Sequence, residues 1–93
     1  MHVIDQTGQF KHDLKREAKG MHRVVLAKEF TQIVKLLALD ELLSEKYRDH
    51  ALSVDWKDHR DGQIKPNLVL IYCKPDEEQL QLVRFGSHSE LGL

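Results

Sequence analysis

The chain has 93 residues, 41% of them hydrophobic and 31% charged, and a formal net charge of −1 from 14 basic and 15 acidic side chains. One core-bearing domain over residues 1–93 fits that length, the composition is not that of a disordered chain, and the charge balance excludes a nucleic-acid binder relying on bulk phosphate neutralisation. No apolar run is long enough for a membrane span, MHVIDQTGQF lacks a signal-peptide pattern, and the lone Cys73 excludes an intrachain disulfide framework, so a cytoplasmic protein without membrane partners is expected.

The elements follow in chain order. Residues 2-HVID-5 read as a short opening strand. Thr7 caps a first helix whose apolar stripe is Phe10, Leu14, Ala18 and Met21, with Lys11, Lys15, Arg16 and Lys19 on the wet side and Gly20 at its end. A second helix carries Val25, Leu26, Phe30, Ile33, Val34 and Leu37 at three- and four-residue steps and continues through 39-LDELL-43. The two helices would pack as a hairpin. Residues 47–63 are polar and mixed, with Leu52 and Trp56 as anchors. The unbroken run 68-LVLIY-72 and the return 79-QLQLVRF-85, joined by 74-KPDEE-78, predict a β-hairpin, paired with a strand near 59–65. Strict alternation would put Leu80 and Leu82 on one face of the last strand and Val83 and Phe85 on the other. The expected fold is α+β: two N-terminal helices on a small antiparallel sheet.

The chemistry narrows quickly. There is no HExxH, no CxxC, no zinc spacing, no glycine-rich phosphate loop and no nucleophile elbow, so neither a metal nor another cofactor is expected. Cys73 ends an apolar strand and reads as packing. Among the six histidines, His2, His12 and His22 read as solvated edge or helix residues, and His59 as structural or functional alike. His50 lies beyond the second helix and His88 directly after the last strand. Imidazole titrates near neutrality, as proton transfer requires. If those two segments meet, Lys57, Arg60 and Arg84 could hold an anion between two proton carriers. That arrangement suits metal-free phosphodiester cleavage, in which one group takes the 2′-OH proton and another protonates the leaving 5′-oxygen. The plainer alternatives are a surface histidine at 88, a Ser87 or Ser89 cap with Glu90 nearby, and structural ion pairs of Arg60 and Arg84 with Asp61 or Asp49.

Three stretches bear on that choice: 47-YRDHAL-52, 60-RDGQIKPNLVLIY-72 and 82-LVRFGSHSEL-91. With the opening-helix motif 10-FKHDLK-15, they resemble the YafQ-like branch of the RelE/ParE superfamily, the toxins of bacterial type II toxin–antitoxin modules. The resemblance runs essentially the whole length and implies the same two-helix and sheet fold. It also implies an endoribonuclease, an mRNA interferase that cuts mRNA in the A site of the 70S ribosome and is held by a cognate antitoxin. By position, His50 and His88 match acid/base histidines, and Arg60 and Arg84 match residues that contact or organise phosphate. Lys57 and Lys65 would complete a basic cluster, with Lys46 and Arg48 beside it.

Two family positions differ. Where the motif reads C-H-x-x-P-D, this chain reads 62-GQIKPN-67, so Gln63 and Asn67 occupy catalytic positions. The usual aromatic residue after the ending's leucine is replaced by Gly92. Gln63 cannot shuttle a proton, and Asn67 brings no charge to steady an imidazolium. Losing one acid/base group costs about 10²–10⁴ in rate, so the sequence predicts reduced or abolished cleavage. The alternatives are a non-catalytic homologue acting only through its antitoxin, and a ParE-like toxin acting on gyrase.

Overall fold

The computed structural model describes residues 2–20, 26–41, 50–51, 59–65 and 67–91. Leu52, Trp56, Lys57, Lys46, Arg48, Met21, His22 and Val25 lie outside these residues.

Five strands, β1 (Val3–Gln6), β2 (His50–Ala51), β3 (Arg60–Lys65), β4 (Leu68–Cys73) and β5 (Gln79–Gly86), form one sheet in the order β1-β5-β4-β3-β2. Strands β2 to β5 are antiparallel neighbours, whereas β1 joins the edge of β5 in parallel. The sheet is therefore mixed, with the expected antiparallel hairpin at its centre. Helix α1 (Gly8–Ala18) follows β1, and α2 (Thr31–Ala38) is preceded by a π-helical turn, Leu26–Phe30. A short terminal turn, α3 (His88–Leu91), follows β5.

Thr7 caps α1 as its sequence foretells: its Oγ1 accepts the Phe10 N–H at 3.0 Å and donates to the Val83 carbonyl at 2.8 Å. That second bond ties the helix start to β5. The buried face of α1 is Phe10 with Asp13, Leu14 packs partly against the core, and Ala18 is exposed. The inward stripe is thus rotated towards Asp13 from the predicted Phe10–Leu14–Ala18 line. Phe10, Phe30 and Phe85 meet with ring centroids 5.2 to 6.1 Å apart, joining α1, the π-helical turn and β5.

Helix α2 ends earlier than expected. Asp40 has φ 59°, the Glu41 N–H bonds to the Leu36 carbonyl at 2.9 Å, and the Asp40 N–H bonds to Leu37 at 3.2 Å. This is a Schellman closure with aspartate in the left-handed position usually given to glycine. Asp40 is held there by Lys74 and by His2, whose ring also bonds the Ala38 carbonyl at 3.1 Å. His2 is accordingly buried and ties β1 to α2, not solvated as its position suggested.

Alternation in β5 is interrupted. Ile71 pairs with Arg84 while Tyr72 pairs with Leu82, leaving Val83 as the extra residue of a β-bulge. Leu80, Leu82 and Phe85 therefore all enter the helix-facing core with Leu68, Leu70 and Tyr72, contrary to the separation expected from strict alternation. Val83 packs on the opposite face with Val69, Ile71 and Leu91.

Candidate functional site

The opposite face of the sheet holds some of the predicted site positions. Residues directly opposed across a ladder point to the same side. Asp61 pairs with Ile71 and Ile71 with Arg84, so these three stand in one row across β3, β4 and β5, and the His50 position lies opposite Asp61 in the β2–β3 ladder. The next row on that face holds Gln63, Val69 and Gly86, and Ser87 and His88 follow Gly86 directly. Leu91 packs on Val69 and Ile71, so the terminal turn folds back over this face. With strands about 4.8 Å apart, the backbones of β2 and β5 flank a stretch of about 14 Å. His50 stands at one side of it by register, half-buried His88 at the other, and Gln63 between.

Other candidates are placed differently. Arg60 pairs with Tyr72, whose ring is in the helix-facing core, so by register Arg60 belongs to the opposite alternation from Asp61 and Gln63, and it is exposed. Asn67 lies in the exposed turn between β3 and β4. Lys65 Nζ meets Glu29 Oε1 at 3.1 Å. Lys57 lies outside the described residues. Cys73 is half-buried with Sγ 3.3 Å from Gln81 Oε1, and burial pushes its thiol up, away from nucleophilic chemistry.

Arg84 is an organising cation. Its Nε donates to Asp13 Oδ2 at 2.7 Å and its Nη2 lies 3.4 Å from Oδ1, while the Phe85 N–H, beside the bulge, donates to the same Oδ2 at 3.0 Å. Its ion pair is with Asp13, and Asp49 lies outside the described residues. Asp13 is 0% exposed. Burial pushes its carboxyl up, but the Arg84 and Phe85 hydrogen bonds, the Arg84 charge and the Gln9 amide outweigh that and hold it below the ordinary carboxylate range. Residue-by-residue reading missed Asp13. Its signal was the 10-FKHDLK-15 motif, where an acidic residue sits three places after the buried Phe10.

Asp61 also contributes a buried carboxylate to the site, directly beside His50 in the ladder. At the other side, Ser87 and Glu90 close a capping box. The Glu90 N–H donates to Ser87 Oγ at 3.2 Å, and the Ser87 N–H donates to Glu90 Oε1 at 3.0 Å. Hydrogen bonds to the carboxyl from the Ser87 N–H and the Ser87 side chain, helped by the Arg16 charge, hold Glu90 below its ordinary value despite partial desolvation. Of the two serines that flank His88, the first caps the turn on which His88 is the first helical residue.

Outside the site, the exposed residues of α1 and its C-cap include Lys11, His12, Lys15, Arg16 and Lys19 and no acidic side chain. His12, Lys15, Arg16 and Lys19 line a shallow cleft of about 270 Å³. Among the described residues no group of three or more His, Cys, Asp or Glu side chains is arranged to hold a metal ion, and no helix is long and apolar enough to cross a membrane.

Residues 2–92 match the family model described as "Bacterial toxin of type II toxin-antitoxin system, YafQ". The chain is 34% identical to the mRNA interferase toxin YafQ of Escherichia coli strain B over 89 residues, covering 95% of this chain and 92% of that protein. The E. coli DinJ-YafQ complex contains a chain that superposes with a TM-score of 0.82 at 32% identity, covering 98% of each. A metal-bound toxin from Helicobacter pylori matches with a TM-score of 0.79 at 37% identity, covering 98% of this chain and 99% of that one.

Proposed function

Because the chain belongs to the YafQ family of bacterial type II toxins, we propose that it is a ribosome-dependent endoribonuclease in which His50 and His88 carry the protons. One imidazole takes the proton of the 2′-OH next to the scissile bond. The 2′-oxygen then bonds to phosphorus, the bond from phosphorus to the 5′-oxygen breaks, and the other imidazole protonates that oxygen. The products are a 2′,3′-cyclic phosphate and a 5′-OH. The observation that supports this reading is that the His50 position in β2 and Gln63 in β3 lie by register on the same sheet over which the His88 turn folds through Leu91.

Gln63 faces the site between them as a hydrogen-bonding group that can orient the phosphate but cannot move a proton. Asn67, in the adjoining turn, lacks the charge that would favour an imidazolium. Both temper the rate and lend weight to one second reading, a toxin homologue that acts mainly through its antitoxin. A DinJ-like antitoxin is the proposed partner on either reading.

RNA needs cations. Arg84 is engaged by Asp13 and Lys65 by Glu29, so α1 supplies the open basic surface that steers the protein into the A site among ribosomal RNA phosphates.

The deciding experiment is mRNA cleavage on translating ribosomes. Restoring Gln63→His together with Asn67→Asp raises the rate by about 10²–10⁴-fold, and His50→Ala or His88→Ala in that background removes the gain. No rise on restoration, or cleavage that survives both alanine variants, overturns the proposal. Because proton transfer is assigned to side chains, 1,10-phenanthroline, which binds transition metals while leaving ribosomal magnesium, leaves the rate unchanged. Loss of cleavage with the chelator would assign the chemistry to a metal.

A further inference from the structure

The nuclease reading names His88 but not what holds it, and α1 reaches across to the turn that carries it. Arg16 Nη2 donates to the Phe85 carbonyl at 2.9 Å, and its Nη1 lies 3.2 Å from Asp13 Oδ1 and 3.3 Å from Glu90 Oε2. Glu90 in turn closes the capping box with Ser87. One guanidinium thus links the interior carboxylate, the end of β5 and the terminal turn. Gly86 supplies independent support: a Cβ there would come within 2.7 Å of Arg16 Nη2 and 3.3 Å of Glu90 Oε1. The bare glycine is the space through which the brace passes. A four-residue helical turn does not hold itself; Leu91 anchors one end of this one on Val69 and Ile71, and the brace holds the other end, where His88 sits.

We propose that Arg16 is a positioning residue that, through Glu90 and the Ser87 cap, fixes the turn presenting His88 to the scissile phosphate. This rests on the nuclease reading for its catalytic consequence and on the brace alone for its conformational one. The fork geometry matters: lysine, a single point donor, cannot span Asp13, Glu90 and the Phe85 carbonyl together.

The test uses the full chain with Arg16→Ala, Glu90→Ala, the double variant and Gly86→Ala. In the last, only the end of a flexible side chain must move, so the fold is spared while the brace is displaced. Nitrogen-15 relaxation of the Ser87–Leu91 amides reports the conformational half whatever the cleavage rate. The order parameters fall in all four variants and remain high in the wild type. Unchanged order in Arg16→Ala and Gly86→Ala overturns the proposal. Single-turnover cleavage at saturating ribosomes, in the Gln63→His/Asn67→Asp background, reports the catalytic half. Each single variant slows the chemical step by about 10–100-fold at saturating ribosomes, where any change in docking through α1 does not enter the rate, Arg16→Lys does not rescue it, and the double variant is no slower than the worse single. Additive losses, or rates that follow only thermal stability, overturn it. Failure of the restored background to cleave at all counts against the nuclease reading, while the relaxation data still decide whether the brace exists.

Discussion

At the residue scale, Asp13 is the position where stability and site architecture meet. A carboxylate removed from water is costly unless fully paired, and this one is met by Arg84, Arg16, Gln9 and the Phe85 N–H. Asp13→Asn keeps an oxygen for the Phe85 N–H but loses the charge, and should cost about 1–3 kcal/mol in urea denaturation. The acid sensitivity has a defined sign. A carboxyl held below its unfolded value contributes stability that is complete above that value and is lost as pH falls through the lowered folded one. The thermal midpoint of the wild type therefore drops as pH is taken below about 4, and Asp13→Asn flattens that drop. A pH profile of equal steepness in both proteins would show that Asp13 is not a principal acid-labile group. None of this was legible from composition, because an aspartate on a lysine-rich helix looks like one more solvated charge.

At the scale of elements, the hairpin of β4 and β5, the strand at β3 and the Thr7 cap could all be read directly. The unbroken run 68-LVLIY-72 is buried on both faces, as continuous apolar runs in central strands are. Two features could not. A bulge adds one residue without any required signature, so alternation through 82-LVRF-85 predicted the wrong face for Phe85 relative to Leu82. The end of α2 depended on Asp40 adopting a left-handed conformation stabilised by Lys74, 34 residues away, a contact invisible to local pattern. The bulge carries its own test. Deleting Val83 leaves Leu82, Arg84 and Phe85 in simple alternation with Phe85 still in the core, so circular dichroism should show a cooperative melting transition, whereas deleting Val83 and Arg84 together turns Phe85 out and should abolish it. Loss of the cooperative fold in the single deletion, or its survival in the double, would contradict the face assignment. His88 follows the last strand directly and Ser87 caps the turn it opens, both readable from 85-FGSHSEL-91. What lay beyond reach was the Arg16 brace, which joins residues 69 positions apart.

Across the whole molecule, a net charge of −1 conceals a polar distribution. The turn that opens β5 exposes Asp76, Glu77 and Glu78, while the far end of that strand meets Arg16, whose helix exposes Lys11, Lys15 and Lys19. Composition argued against a basic surface; folding makes one on α1, where Asp13 is buried and Glu17 is only slightly exposed, and on the proposed function that surface meets ribosomal RNA. Replacing Lys11, Lys15 and Lys19 together by glutamine should weaken ribosome binding and reduce the slope of log affinity against log salt by about 2 to 3, whereas Lys35→Gln on α2 changes neither. Equal slopes would remove α1 from the interface.

The central claim, that two imidazoles drive attack by a ribose hydroxyl, is tested most directly with an mRNA carrying one 2′-deoxy sugar at the cut site in the ribosomal A site. The account predicts that cleavage there stops, while the all-ribose message yields a 2′,3′-cyclic phosphate and a 5′-OH. Continued cutting of the substituted message, or a 5′-phosphate on the downstream fragment, would contradict it.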